Sequence, residues 1–147
     1  MVKKRFKDGS IHAISCGIVC YETPLSQLED LLGSLLVAIR RLKVTEQKIS
    51  VTICVVDNSM EQTNVRSVCE GSKELQAVEN VEIRYIGGHG NIGYGAAIKT
   101  GFKKSKCDCI FAIDGDGEYD VNILPDLLKK LEKSDLVITK RYKKKYN

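Results

Sequence analysis

Asp57, Asp114, Asp116, Glu118 and a run of glycines are the residues whose types and spacing could do chemistry. Asp114-Gly115-Asp116-Gly117-Glu118 sets three carboxylates at alternate positions directly after an apolar run. Asp57 closes a second such run, ISVTICVVD at 49–57. Carboxylates turned toward one point suit a hard divalent cation, Mg²⁺ or Mn²⁺, which commonly takes one or two of them and completes its shell with substrate phosphates. Gly115 and Gly117 would let backbone and phosphate approach closely. An acidic surface turn is the competing reading, because Asp-Gly is also a common turn dipeptide.

The glycines raise a second possibility. GGHGNIGYGAA (87–97) holds Gly88, Gly90 and Gly93 in G-x-G-x-x-G spacing, and Asp114 follows about 20 residues later, as in a dinucleotide-binding fingerprint. An NAD-binding oxidoreductase would use Asp114 on ribose hydroxyls and a helix N-terminus on the pyrophosphate. Two features count against it. The fingerprint belongs after the first strand of its unit, whereas two strand–helix units precede it here. Asp116 and Glu118 would also have no task beside an NAD pyrophosphate, and twelve glycines in the chain make a chance match unsurprising. His89, flanked by glycines, would meet either phosphate or solvent.

The elements that must position these residues alternate. Residues 11–21, IHAISCGIVCY, form a continuous apolar run with β-branched residues, as expected of a strand buried on both faces. Thr23-Pro24 offers a helix start, after which Leu25, Leu28, Leu32, Leu35, Leu36, Ile39 and Leu42 recur at helical spacing. Strands follow at 49–57, 81–86 and 109–114, with weak helix over 63–75 broken by Gly71 and a helix over 96–105. Asn122 and Pro125 open a further helix carrying Leu124, Leu127, Leu128 and Leu131, and DLVITK (135–140) reads as a fifth strand. The fold class is α/β: a mainly parallel open sheet with helices on both faces. In such sheets ligands bind beyond the carboxyl ends of the strands. The ends here are Tyr21-Glu22, Asp57-Asn58, the glycine stretch and the Asp114–Glu118 cluster, so acids and glycines share one rim.

Composition narrows the classes. At 147 residues with 43% hydrophobic and 29% charged content, the chain suits one ordinary globular domain. We divide it into a polar leader (1–10), a domain (11–142) and a basic tail (143–147). Few aromatics and no Trp argue against a base-stacking nucleic-acid platform. No run approaches the ~18 apolar residues of a membrane span, and no signal-peptide core follows the basic start. The six cysteines lie mostly in apolar runs without a C-x-x-C pair, as reduced thiols of a cytoplasmic protein would. The net charge of +4 comes largely from the two ends, Lys3-Lys4-Arg5 with Lys7 and Lys140-Arg141 with Lys143-Lys144-Lys145. Such runs are solvated tails, or contacts peripheral to an anionic membrane face.

At these residues the chain resembles the family-2 glycosyltransferases of the GT-A fold, over about residues 14–142. VVDNS (55–59) resembles the strand that ends in the family's base-binding Asp. NIGYGAAIKTG (91–101) resembles its Asn-x-Gly-x-Gly-x-Ala stretch, which accounts for Gly93, Gly95 and Gly101 without NAD. FAIDGDGEYDVNILPDLLKKLEKSDLVITKRY (111–142) resembles its D-x-D segment, most closely that of dolichyl- or polyprenyl-phosphate sugar transferases. The resemblance implies a Rossmann-like half-domain that binds a nucleotide-diphosphate sugar, a UDP- or GDP-sugar, and a metal-dependent, inverting transfer to an acceptor such as a lipid phosphate or glycan. Asp57 would then meet the base and Asp114 the base or ribose. Asp116 would hold Mn²⁺ or Mg²⁺, with Glu118 a further ligand. Tyr21, Glu22, Asn91, Gly93 and Gly95 would line the nucleotide pocket.

Glu22, Met60-Glu61-Gln62 and Lys99 depart from the family's usual residues and leave the base open. The family's general base comes from after the fifth strand, so no catalytic base is expected in this chain. It reads as a donor-binding half, either enzymatic or a binding module without turnover, with an open sheet edge that would favour self-association.

Overall fold

The computed structural model describes residues 10–140 except Gln62 and Lys106. The basic runs at residues 3–7 and 141–145, and the end of the family resemblance at Tyr142, therefore lie outside the described residues. Four strands form one all-parallel sheet in the order β3-β2-β1-β4: β1 Ala13–Cys20, β2 Ser50–Asp57, β3 Val81–Ile86 and β4 Cys109–Asp114. The helices are α1 Leu25–Thr45, α2 Val65–Gly71, α3 Lys73–Gln76, α4 Tyr94–Lys103 and α5 Leu124–Leu131, the last preceded by a 3₁₀ turn at Val121–Ile123.

The pleat sorts side chains between two layers. Ile14, Cys16, Ile18 and Cys20 of β1 and Val51, Ile53 and Val55 of β2 join the main core with α1 and α5. Val19 and Val56 instead face α4, where they pack on Ala97 with Ile86 and Ile98 alongside. Both central strands are thus covered twice, which is why their sequences read as unbroken apolar runs. β3 is an edge strand and alternates: Ile83 and Tyr85 pack on the core while Glu82 and Arg84 pair with each other in solvent at 2.7 Å.

Helix α1 buries eight side chains, Leu28, Leu31, Leu32, Leu35, Leu36, Ala38, Ile39 and Leu42. The expected strands at 81–86 and 109–114 match, and those at 11–21 and 49–57 are trimmed only at their ends. Other expectations are corrected. Thr23 does not cap α1; its hydroxyl accepts the Tyr21 N–H at 3.2 Å, and no side chain caps that helix. Helix α4 begins at Tyr94, two residues earlier than expected. The turn before α5 is capped by the Asp120 carboxylate, which accepts the Asn122 N–H at 3.0 Å.

The expected fifth strand is also absent among the described residues. Within 135–140 only Leu136 makes a bridge, and Leu136 and Ile138 are exposed. Val137 alone packs against the core. A strand needs a partner ladder and a face to bury; this segment has one contact of each kind. Cys107 is half-buried and the other five cysteines are buried. No helix among the described residues is long and apolar enough to cross a membrane.

Candidate functional site

Hydrogen bonds stitch the carboxyl ends of the strands into one rim. At the end of β2, the Asn58 N–H donates to the Cys20 carbonyl at 2.8 Å, and the Glu22 N–H donates to the Ser59 hydroxyl at 3.0 Å. Glu22 sits at φ 49°, in the left-handed region, so the turn leaving β1 is bent back over β2. On the other side of β1, the Gly115 N–H donates to the Val19 carbonyl at 2.9 Å. That approach requires glycine, because a Cβ at position 115 would stand 2.9 Å from both Cys20 Sγ and the Val19 oxygen.

The glycine turn spans these two ends. Asn58 Nδ2 donates to Asn91 Oδ1 at 3.1 Å, and Asn58 Oδ1 accepts the Ile92 N–H at 3.0 Å. Asn91 Oδ1 also accepts the Gly93 N–H at 2.9 Å. Gly93, at φ 85°, then turns the chain into α4, whose first residue reaches β4: the Tyr94 hydroxyl donates to Asp114 Oδ1 at 2.6 Å. Burial and the adjacent Asp114 carboxylate raise the Tyr94 phenol above its ordinary value, so it remains a donor at neutral pH. Tyr119 and Asp116 are close enough to add to that shift.

Asp57 is only 5% exposed and heavily engaged. Its Oδ1 accepts the Ser59 N–H at 3.2 Å, and its Oδ2 accepts from the Thr63 hydroxyl and, at 3.4 Å, from the Tyr85 hydroxyl. It lines a cavity of about 1050 Å³ along the β2–β3 ends, shared with Thr63, Arg66, Tyr85, Gly88 and Gly90. Arg66 lies over the Tyr85 ring, 5.4 Å from its centre. Burial, followed by the Asp57 charge, raises the Tyr85 phenol and keeps it a donor.

The carboxylates of the rim do not all share one face. Asp114 continues the face of Ala112 toward α4 and Tyr94, whereas Asp57 leaves on the opposite face, where it meets Tyr85. Asp116 and Glu118 are exposed and line a smaller cleft of about 410 Å³ with Gln27 and Ser34 of α1. Asp116 Oδ1 accepts the Glu118 N–H at 3.0 Å, an Asx turn that brings the two residues together. Among the described residues no group of three His, Cys, Asp or Glu could hold a metal ion. The donor set nevertheless fits a Mg²⁺ or Mn²⁺ that takes one or two carboxylates and draws its remaining ligands from phosphate; it does not fit an all-protein cage.

Tyr21 and Glu22 are exposed at the β1 end, as are Asn91, Gly93 and Gly95 in the turn. His89 is half-buried, neither free in solvent nor placed to donate to phosphate when neutral. Its Nδ1 lies 2.7 Å from the Gly90 carbonyl, which can only accept, so Nδ1 carries a proton, and the buried Nε2 has no hydrogen-bond partner among the described residues. Thr63, Tyr85 and Tyr94 are site residues that the sequence alone does not single out. Tyr94 carried a signal, as the aromatic inside the glycine turn; the other two carried none.

No curated protein sequence matches the chain. The family model for glycosyl transferase family 2 matches residues 15–147 and takes in the ends of β1, β2 and β4 together with the glycine turn between them. A match of that extent, running through every segment of the rim, places the chain in glycosyl transferase family 2.

Proposed function

We propose that the rim binds a nucleotide-diphosphate sugar together with Mg²⁺ or Mn²⁺, as the donor site of a metal-dependent, inverting sugar transferase. The observation that carries this is the strap from Asn58 through Asn91 and Gly93 to Tyr94 and Asp114, which ties the base-side cavity to the acidic turn. β2 and β4 flank β1, so their ends stand about 10 Å apart, two strand spacings. A nucleoside diphosphate laid across the end of β1 would place its base near Asp57, its ribose near Asp114 and its phosphates near Asp116 and Glu118. When bound there, the cation would neutralise the charge that grows on the departing diphosphate.

Of this chain's own groups, the Asp116 and Glu118 carboxylates would hold the cation. Tyr94 fixes one oxygen of Asp114 and leaves the other for ribose. The N-terminus of α4, where the Gly95 backbone is exposed and the Gly93 N–H is already held by Asn91 Oδ1, offers its first-turn N–H groups to an anion. No residue of this chain is assigned the task of deprotonating an acceptor. An acceptor that is already ionised, such as a lipid phosphate, would need little such help.

The sheet order argues against the NAD reading. The chain reverses direction across the sheet between β1 and β4, so a dinucleotide fingerprint belongs beside that switch point; the glycine run instead follows the edge strand β3. Calorimetry with UDP and GDP, with and without Mn²⁺, and with NAD tests the proposal. Binding of a nucleoside diphosphate that strengthens with Mn²⁺, and loses that metal dependence in Asp116→Asn, is expected. NAD binding indifferent to metal would overturn it. A radiolabelled-sugar transfer assay then separates a transferase from a module that only binds.

A further inference from the structure

We infer that Thr63 and Tyr85 make this site select uracil over guanine, an inference that rests on the donor-site reading above. An ionised carboxylate offers about four lone-pair positions, two on each oxygen. On Asp57 both positions of Oδ2 are taken, by the Thr63 and Tyr85 hydroxyls, and one on Oδ1 is taken by the Ser59 N–H. Among the described residues nothing takes the second position on Oδ1.

Neither hydroxyl is idle enough to swing away freely. The Thr63 oxygen also accepts the Val65 N–H at 3.3 Å, at the entry to α2. The Tyr85 ring is held beneath Arg66, and its hydroxyl occupies the space a side chain at Gly87 would need, 2.0 Å from a Cβ there.

Guanine presents two parallel donors to a carboxylate, the ring N1–H and the exocyclic amino group. It needs an acceptor on each oxygen at once, the fork-on-fork pattern of a bidentate pair. Here it would have to evict one of the two hydroxyls from Oδ2 and leave that partly buried donor unpaired, which is costly. Uracil presents a single N3–H between two carbonyls. One lone pair on Oδ1 receives the N–H, and Arg66, which lines the same cavity, can donate to a flanking carbonyl.

Calorimetry of the whole chain in Mn²⁺ with UDP, GDP, CDP and ADP tests this. UDP should bind at least about tenfold more tightly than GDP, and the Thr63→Val/Tyr85→Phe double variant should narrow that ratio by gaining affinity for GDP. GDP binding as tightly as UDP, CDP or ADP binding more tightly than UDP, or an unchanged ratio in the variant would each overturn the selectivity while leaving the nucleotide site standing. Failure of every nucleoside diphosphate to bind would overturn both. If circular dichroism shows the double variant unfolded, Tyr85→Phe alone and the wild-type ratio decide.

Discussion

Tyr94 and Gly115 carry more of the rim's geometry than their size suggests. The Tyr94 hydroxyl is the tie between the glycine turn and Asp114, at 2.6 Å. Removing it in Tyr94→Phe keeps the ring and loses a hydrogen bond to a charged group, for which about 1.5–3 kcal/mol is typical, discounted here because the tyrosine is half exposed. We expect melting temperature to fall only slightly and the Kd for a nucleoside diphosphate with Mn²⁺ to rise about tenfold, measured by calorimetry. Gly115→Ala acts differently. Its methyl group would press on the Val19 carbonyl and the Cys20 sulfur at 2.9 Å, so β4 and β1 must separate. A loss of about 1–3 kcal/mol in urea unfolding is expected, with weaker metal-dependent binding alongside.

At the scale of elements, α1 is the brace for the sheet. Leu35 is fully buried between it and the strands. Leu35→Ala should cost about 2–5 kcal/mol in chemical denaturation, because the cavity it leaves is walled by a packed sheet that cannot collapse into it. The same element shows what was legible in advance. Its leucine spacing predicts the buried face, and the unbroken apolar runs of β1 and β2 predict strands covered twice. The segment at 135–140 has the same apolar look but no second ladder to join, and pattern alone does not distinguish a strand from an apolar tail. The acidic cluster shows a related limit. Spacing by two along the chain suggests convergence with Asp116 and Glu118, yet the strand ends at Asp114 and the turn begins, so pleat alternation holds only on one side of it.

Across the whole molecule, buried thiols make stability sensitive to alkali. Burial pushes the Cys16 and Cys20 thiols up to about 12 and Cys69 up to about 11, from an ordinary value of 9.0. These groups hold their protons in the folded state at a pH where the unfolded chain has lost them. Their contribution is therefore complete below about pH 9 and is lost as pH rises toward 12. Melting temperature should decline across that window, and Cys16→Ala, though less stable at pH 7, should decline less steeply. An equally steep fall in the variant would assign the loss to other groups.

The residues by themselves determined the α/β class, the order of elements and the placing of acids and glycines at one rim. Those features follow from periodicity and from alternation along the chain, which are local. Only the tertiary structure decided that Thr63 and Tyr85 close one oxygen of Asp57, that Tyr94 holds Asp114, and that Asp57 and Asp114 leave opposite faces of the sheet. Each of those contacts joins residues whose meeting depends on which strands are neighbours and which face each side chain leaves by, and neither is written in any one stretch of sequence.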